Sequence, residues 1–285
     1  MKKLLIQLDT DKRVSTFDQV VAYDAGVDNI IAHSGITKEE VEDIIYGAIF
    51  TRSAKKLKNT AVFIGGSDVE AGEEIMKAVK DVFFANYSIS TMLDSNGSNT
   101  TAAAAVLKIR EAIDLVNKKV VILAGTGPVG VRAAALFAKE GASVTITSRK
   151  QAKADRKAAN IKEVYGFEDV RGLEANTDQE FRNAIKDKDI ILSAGPPKIN
   201  FLKEDMWKNT EGIKVMADIN AVSPAGIEGI KPQDDGEKLA DITVFGALGI
   251  GGLKMKLHKK AVASLFKDND KFLNALEIYK LYEKI

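Results

Sequence analysis

Gly125, Gly127 and Gly130 fall at the spacing Gly-x-Gly-x-x-Gly, directly after the apolar run at 118–124 (Lys-Lys-Val-Val-Ile-Leu-Ala). Glycines so placed have separate physical tasks. The first permits a tight turn, the second lets a pyrophosphate come up against the main chain, and the third lets the next helix pack closely on the strand. A helix that starts at such a turn offers its first N–H groups, and the positive end of its dipole, to an anion. The spacing alone is common, and an ordinary tight turn also uses glycine. Its setting carries the reading: a strand before it, a helix over 129–140 after it and a second strand over 143–147 complete a βαβ unit. Gly125, Thr126, Gly127, Pro128, Val129 and Gly130 are therefore expected to hold a dinucleotide.

The end of that second strand bears on which dinucleotide. A site for NAD usually offers Asp or Glu there to the ribose hydroxyls, whereas this chain has Thr147-Ser148-Arg149-Lys150. An acid would repel a 2′-phosphate; Arg149 and Lys150 would attract it and Ser148 could hydrogen-bond it. The same cations could merely be a solvated helix start, although a cation there opposes the helix dipole. NADP is the expected cofactor, with NAD a weaker alternative. Ser193-Ala194-Gly195-Pro196-Pro197 ends another predicted strand, and Ala194 and Gly195 are small enough to let a ribose pass. The stretch 246–252 (Gly-Ala-Leu-Gly-Ile-Gly-Gly) reads as a glycine-rich loop that a flat ring such as nicotinamide could approach closely. Gly246, Leu248 and the strand-end Asn220 complete the cofactor set.

A second polar block is Asp94-Ser95-Asn96-Gly97-Ser98-Asn99-Thr100-Thr101. It follows a predicted strand and opens a predicted helix, the position at which open α/β sheets bind ligands. Turn and helix-cap chemistry would account for two or three of its residues. Asp94, Asn96, Ser98, Asn99 and Thr100 are the substrate-binding candidates. Asp218 also ends a strand, although an Asx turn is an equal use for it. Lys254 and Lys256 follow the glycine-rich stretch and are expected in the first turn of a helix, where positive charge is disfavoured. Either one serves a ligand or both face solvent. Gly65-Gly66-Ser67-Asp68 is a weaker candidate, being also a good helix start.

Short β-like runs alternating with longer helical ones must position these groups. Strands are expected at 3–8, 29–33, 60–64 and 88–93, with helices at 16–25, 38–50 and 69–84, the second opened by a Thr37/Glu40 capping box. A long helix at 99–116 follows. Further strands are expected at 119–124, 143–147, 170–174, 189–194, 214–218 and 241–245, then helices at 253–266 and 271–284. The fold class is α/β: two α/β domains around a cleft, the second a Rossmann-type doubly wound parallel sheet, joined by two long helices. The first domain is discontinuous, at 1–100 plus 253–285, and the second spans 101–252.

With 285 residues, 45% apolar and 28% charged, the chain can bury sizeable cores without disulfides or metals. It has no cysteine, which excludes thiol catalysis, iron–sulfur clusters and cysteine-bound zinc. Its two histidines, His33 and His258, stand far apart, and no metal site is expected. A net charge of +1 gives no field to attract nucleic acid or an anionic membrane. Asp9 and Asp11 interrupt the first apolar run before a signal-peptide core could form, and no stretch is long enough to span a bilayer. A cytoplasmic protein is expected.

The chain resembles the NADP-dependent methylenetetrahydromethanopterin and methylenetetrahydrofolate dehydrogenases of methylotrophic bacteria. The resemblance runs from Lys3-Leu-Leu-Ile-Gln-Leu-Asp-Thr-Asp11 to Glu277-Ile-Tyr-Lys-Leu281. It is most specific in Leu93-Asp-Ser-Asn-Gly-Ser-Asn-Thr-Thr-Ala-Ala103 and Phe245-Gly-Ala-Leu-Gly-Ile-Gly-Gly-Leu-Lys254; Leu123-Ala-Gly-Thr-Gly-Pro-Val-Gly130 would fit many oxidoreductases. Little is recognisable at 151–189 and 196–210. The resemblance implies NADP on the second domain and a reduced pterin one-carbon carrier on the first. It further implies oxidation of the methylene form to the methenyl form, and a homo-oligomer, a trimer above others. It selects Lys254 over Lys256 as the residue of the catalytic site.

Such a reaction moves a hydride and no proton, so the protein mainly binds, orients and shields. Asp94 or Asp218 would favour the developing positive charge. Lys254 would position the pterin by hydrogen bonding. Bifunctional folate dehydrogenase–cyclohydrolases use a Tyr-x-x-x-Lys pair; here Tyr23 and Tyr46 are followed four residues on by Val27 and Phe50, so no cyclohydrolase activity is expected. The competing readings are a shikimate-type dehydrogenase, which needs a Lys–Asp acid–base pair, and a noncatalytic NADP sensor.

Overall fold

The computed structural model describes residues 1–282. In chain order the elements are β1 (Leu4–Asp9), α1 (Thr16–Asp24), β2 (Asn29–Ser34), α2 (Val41–Ile49), β3 (Thr60–Gly65), α3 (Val69–Val82), β4 (Ser90–Leu93) and α4 (Ser98–Ala112). There follow β5 (Lys119–Leu123), α5 (Pro128–Lys139), β6 (Ser143–Ser148), α6 (Gln151–Tyr165), β7 (Val170–Glu174), α7 (Asp178–Ile185), β8 (Ile190–Ser193), α8 (Glu204–Lys208) and β9 (Val215–Asp218). The last are β10 (Asp235–Leu239), β11 (Ile242–Phe245), α9 (Ala247–Leu265), β12 (Phe272–Leu273) and α10 (Ala275–Lys280). The chain forms two compact units, Met1–Thr100 with Met255–Ile285, and Thr101–Lys254.

The first unit is built on a five-stranded sheet in the order β12-β4-β3-β1-β2, parallel throughout. All six residues of β3 (Thr-Ala-Val-Phe-Ile-Gly) are buried, the continuous apolar run of a strand covered on both faces. One face carries Ile6, Leu8, Val62 and Ile64 against Val41, Ile45, Ile75 and Val79 of α2 and α3. Asp68 starts α3 by accepting the Ala71 N–H at 3.0 Å. The Thr37/Glu40 pair opens a short 3₁₀ turn that runs into α2, with the Thr37 N–H donating to Glu40 at 3.0 Å.

The second unit holds a seven-stranded sheet in the order β10-β11-β9-β8-β5-β6-β7. All pairings are parallel except β10 with β11. Leaving aside the edge strand β10, the unit's first three strands run one way across the sheet and the next three the other. That is the doubly wound dinucleotide-binding order, with its switch point between β5 and β8. Its core packs Val121, Leu123, Ile191 and Met216 against Trp207, Ile213 and Ile230.

The structure corrects the expected elements at 246–252, at 271–284 and at β10, and it adds α7 and α8 between the expected strands. The stretch 246–252 is not a loop: it is helical from Ala247 and forms the first turns of α9. Two of its glycines answer to neighbouring main chain, since a β-carbon on Gly246 would lie 2.0 Å from the Lys231 carbonyl oxygen and one on Gly249 2.3 Å from that of Asp234, whereas Gly251 and Gly252 have open space around them. Lys254 and Lys256 are consequently the eighth and tenth residues of α9, beyond the first turn in which the dipole opposes a cation. The expected helix at 271–284 begins only at Ala275, because Phe272 and Leu273 add a strand to β4, and runs to Lys280; the expected positions 283 and 284 lie outside the described residues. β10 was not expected at all. No helix among the described residues is long and apolar enough to cross a membrane.

Candidate functional site

In the second unit the β5–α5 turn sits at the switch point. A β-carbon on Gly125 would stand 2.9 Å from the Ile122 carbonyl oxygen, so the tight turn excludes a side chain. Around Gly127 nothing lies within 4 Å of such an atom, so its main chain is open to a ligand. Gly127 is also the N-cap of α5, Pro128 follows in the first turn, and no side chain caps the helix. Open main chain at an uncapped helix start is what a pyrophosphate requires, and the residues present fit a dinucleotide.

Ala124 takes a left-handed φ of 50°, and its N–H donates to Thr147 Oγ1 at 2.9 Å. This bond ties the turn to the end of β6, where Ser148 is buried and Arg149 and Lys150 are exposed. Glu174, the acid that ends β7, is turned toward α6: it accepts the Gln151 N–H at 2.7 Å, while its own N–H donates to Gln151 Oε1 at 2.8 Å. On the other side of the turn, the Ala194 N–H donates to the Leu123 carbonyl at 3.1 Å. Gly195 must be small for Phe201, whose ring would lie 2.3 Å from a β-carbon there. Asn220 Nδ2 donates to the Gly195 carbonyl at 3.2 Å.

Asp218 forms the Asx turn that its strand-end position allowed. Its Oδ1 accepts the Asn220 N–H at 3.0 Å, and its Oδ2 accepts those of Gly226 at 2.5 Å and Ile227 at 3.1 Å. The carboxylate thus holds the segment 219–227 to the end of β9. Burial pushes its pKa above the ordinary carboxyl value, and the three main-chain donors oppose that rise. Gly246 lies against Lys231 and Pro232, and Leu248 is exposed, its N–H donating to the Pro232 carbonyl at 2.7 Å.

In the first unit the polar block after β4 closes largely on itself. Asp94 Oδ1 accepts the N–H groups of Asn99 at 2.9 Å and Thr100 at 3.0 Å, and Oδ2 accepts the Thr100 hydroxyl at 2.6 Å. Ser98 donates to the Ser95 carbonyl, Ser95 to the Gly65 carbonyl, and Asn99 Nδ2 to the Leu93 carbonyl. Asp94, Ser98, Asn99 and Thr100 are together and buried, as the N-terminal cap of α4. Cap chemistry therefore accounts for more of the block than the sequence suggests. Asn96 is the exposed member, held at φ 53° with its N–H donating to the Gly66 carbonyl at 2.7 Å. On α9, Lys254 is half-buried and Lys256 exposed.

Residues 16–96 match the family described as "Methylene-tetrahydromethanopterin dehydrogenase, N-terminal". Two curated proteins of Methylorubrum extorquens (strain AM1) match over the full chain and 99% of their own length. One, named "Bifunctional protein MdtA", is 43% identical. The other, named "NAD(P)-dependent methylenetetrahydromethanopterin dehydrogenase", is 30% identical. The chain belongs to the methylene-tetrahydromethanopterin dehydrogenase family. Its fold is shared more widely. Quinate dehydrogenase from Corynebacterium glutamicum, solved in complex with NAD, aligns over all of this chain and 99% of its own, at 13% identity and a TM-score of 0.55. The family member has further polar groups below α9 that sequence reasoning passed over. Asp9, Asp18 and His258 gather on the Phe63 side of the first unit's sheet. Two weak signals mark them: Asp9 ends a strand, and His258 follows Lys254 by one helical turn.

Proposed function

We propose that this chain oxidises the methylene carbon of methylene-tetrahydromethanopterin, or of methylene-tetrahydrofolate, by hydride transfer to NADP, giving the methenyl form in one-carbon metabolism. The observation that carries the reading is the open main chain at Gly127, at the switch point of a doubly wound sheet, in a chain of this family. Gly125 to Gly130 would hold the pyrophosphate, and Ser148, Arg149 and Lys150 the 2′-phosphate that separates NADP from NAD. Ala194, Gly195, Asn220, Gly246 and Leu248 complete the cofactor set. When bound, the nicotinamide supplies the hydride acceptor.

The chain's own groups then have modest tasks, because no proton moves. Asn96 and Lys254 would orient the pterin by hydrogen bonds, with Ser98, Asn99 and Thr100 shaping the turn behind Asn96 and Lys256 as a further substrate contact. Asp94 supplies negative charge near the carbon as it becomes cationic. Asp218 is the other candidate for that charge, and it also holds the segment 219–227 through its three main-chain donors. The reading also carries a cytoplasmic location and a homo-oligomer, a trimer above other states, which light scattering on a sizing column tests directly.

Absorbance of reduced nicotinamide, followed with each methylene carrier and with NADP or NAD, tests the whole. Turnover with a methylene pterin and a preference for NADP is expected. No reduction with either carrier overturns the reading.

A further inference from the structure

His258 is 1% exposed, on a face of α9 otherwise occupied by Leu257, Ala261, Val262 and Leu265. Packing alone would be met there by another apolar side chain. The imidazole instead lies between two carboxylates, with Nδ1 4.0 Å from Asp94 Oδ2 and Nε2 4.0 Å from Asp18 Oδ1. Both separations are longer than direct hydrogen bonds. The Phe63 ring stacks on it at 5.5 Å and 17°, and Phe17 tilts against it at 6.2 Å. Asp94 and Asp18 are largely buried, at 0% and 14% side-chain exposure. His258 thus sets a polar ring between two carboxylates withdrawn from water.

We propose that His258 is a positioning residue for the pterin reaction: it holds the Asp94 carboxylate and α1 in register, and so fixes the turn that presents Asn96. The inference rests on the pterin reading above and deepens it. Asp94 is the hub of the α4 cap, with three donors from Asn99 and Thr100, so a displaced Asp94 carries Ser95 to Thr100 with it. Asp18 is fixed from the other side by α1, where its N–H donates to Ser15 Oγ at 3.2 Å. His258 also stands four residues after Lys254 along α9. Buried as it is, His258 acts through these groups.

The test is steady-state kinetics of His258→Phe and His258→Gln, with melting temperature measured alongside. Phenylalanine keeps a ring on Phe63 and removes both nitrogens; glutamine keeps polar atoms on a chain of similar reach. His258→Phe is expected to lower kcat/KM for the methylene pterin about tenfold or more, to leave the KM for NADP unchanged, and to be rescued in part by His258→Gln. Should His258→Phe fail to fold, His258→Gln alone must show the same split in milder form. Unchanged pterin kinetics in the folded variants, or a loss that falls equally on pterin and NADP, overturns the proposal. A wild-type chain that turns over no methylene pterin defeats the functional reading instead, which keeps the two failures apart.

Discussion

Gly130 lies so close to Gly125 that a β-carbon on it would stand 2.5 Å from the Gly125 carbonyl oxygen and 2.6 Å from its Cα. The obstacle is main chain, which no rotamer change can move aside. Gly130→Ala must therefore push α5 off the β5 turn, at a stability cost of about 1–3 kcal/mol, and NADP binding falls with it. Gly127→Ala meets empty space and leaves the melting temperature unchanged, yet its methyl occupies the approach to the main chain, and NADP affinity drops about tenfold. Thermal melts paired with NADP titrations separate the two. Equal losses of stability in both variants would remove the distinction between packing glycine and ligand glycine.

Arg149 and Lys150 are exposed at the end of β6, while the acid on the neighbouring strand, Glu174, is engaged with Gln151. No carboxylate of β6 itself is there to take the ribose hydroxyls. Arg149→Glu is expected to lower kcat/KM for NADP about tenfold to a hundredfold and to raise that for NAD. The comparison is made at saturating pterin, at two ionic strengths, because the loss for NADP should be smaller in high salt. An unaltered ratio of NADP to NAD use would show that the 2′-phosphate is read elsewhere.

The parts of the fold that were legible in the sequence are those whose local pattern and tertiary role agree. The run at 120–123 is apolar because β5 is buried there on both faces, and its glycine turn obeys the same geometry locally and in the sheet. β10 was illegible because Asp-Gly-Glu-Lys-Leu is almost wholly exposed, without alternation, and becomes a strand only by pairing with β11. The glycines of 246–252 misled for a related reason. Gly246 and Gly249 lack a β-carbon for the sake of the 231–235 main chain, which sequence cannot bring near. The same limit holds at the site. The polar density of 94–101 was visible, but its division between groups that cap α4 and the one that stays exposed, Asn96, was not. His258 carried only the weak signal of its spacing from Lys254, since Asp18 and Asp94 reach it only through the fold.

Lys254 and Lys256 are a natural pair for telling site from surface. They stand two residues apart on one helix, so they point in different directions, and the first is half-buried where the second is exposed. Lys254→Ala is expected to lower kcat/KM for the methylene pterin about a hundredfold while NADP still binds as in the wild type. Lys256→Ala should remain near wild-type activity. Lys254→Ala with full activity and unchanged Michaelis constants would end the assignment, and a larger loss in Lys256→Ala would reverse it.

Asp218 predicts a pH dependence of stability with a definite sign. Burial raises its folded pKa above the ordinary 3.8, so the fold favours the neutral acid. Its contribution is fully present below 3.8 and is lost as the pH rises through the raised value. Asp218→Asn is neutral at every pH and has no such loss. The stability of the wild type relative to Asp218→Asn should therefore be greatest at the acid end and decline as the pH rises, in denaturant melts from about pH 4 to pH 8. Other titrating groups are common to both proteins and cancel in the difference. A wild-type advantage that grows with pH would mean that the three main-chain donors from Asn220, Gly226 and Ile227 outweigh desolvation. The folded pKa would then lie below the unfolded one, and the fold would favour the carboxylate over the neutral acid.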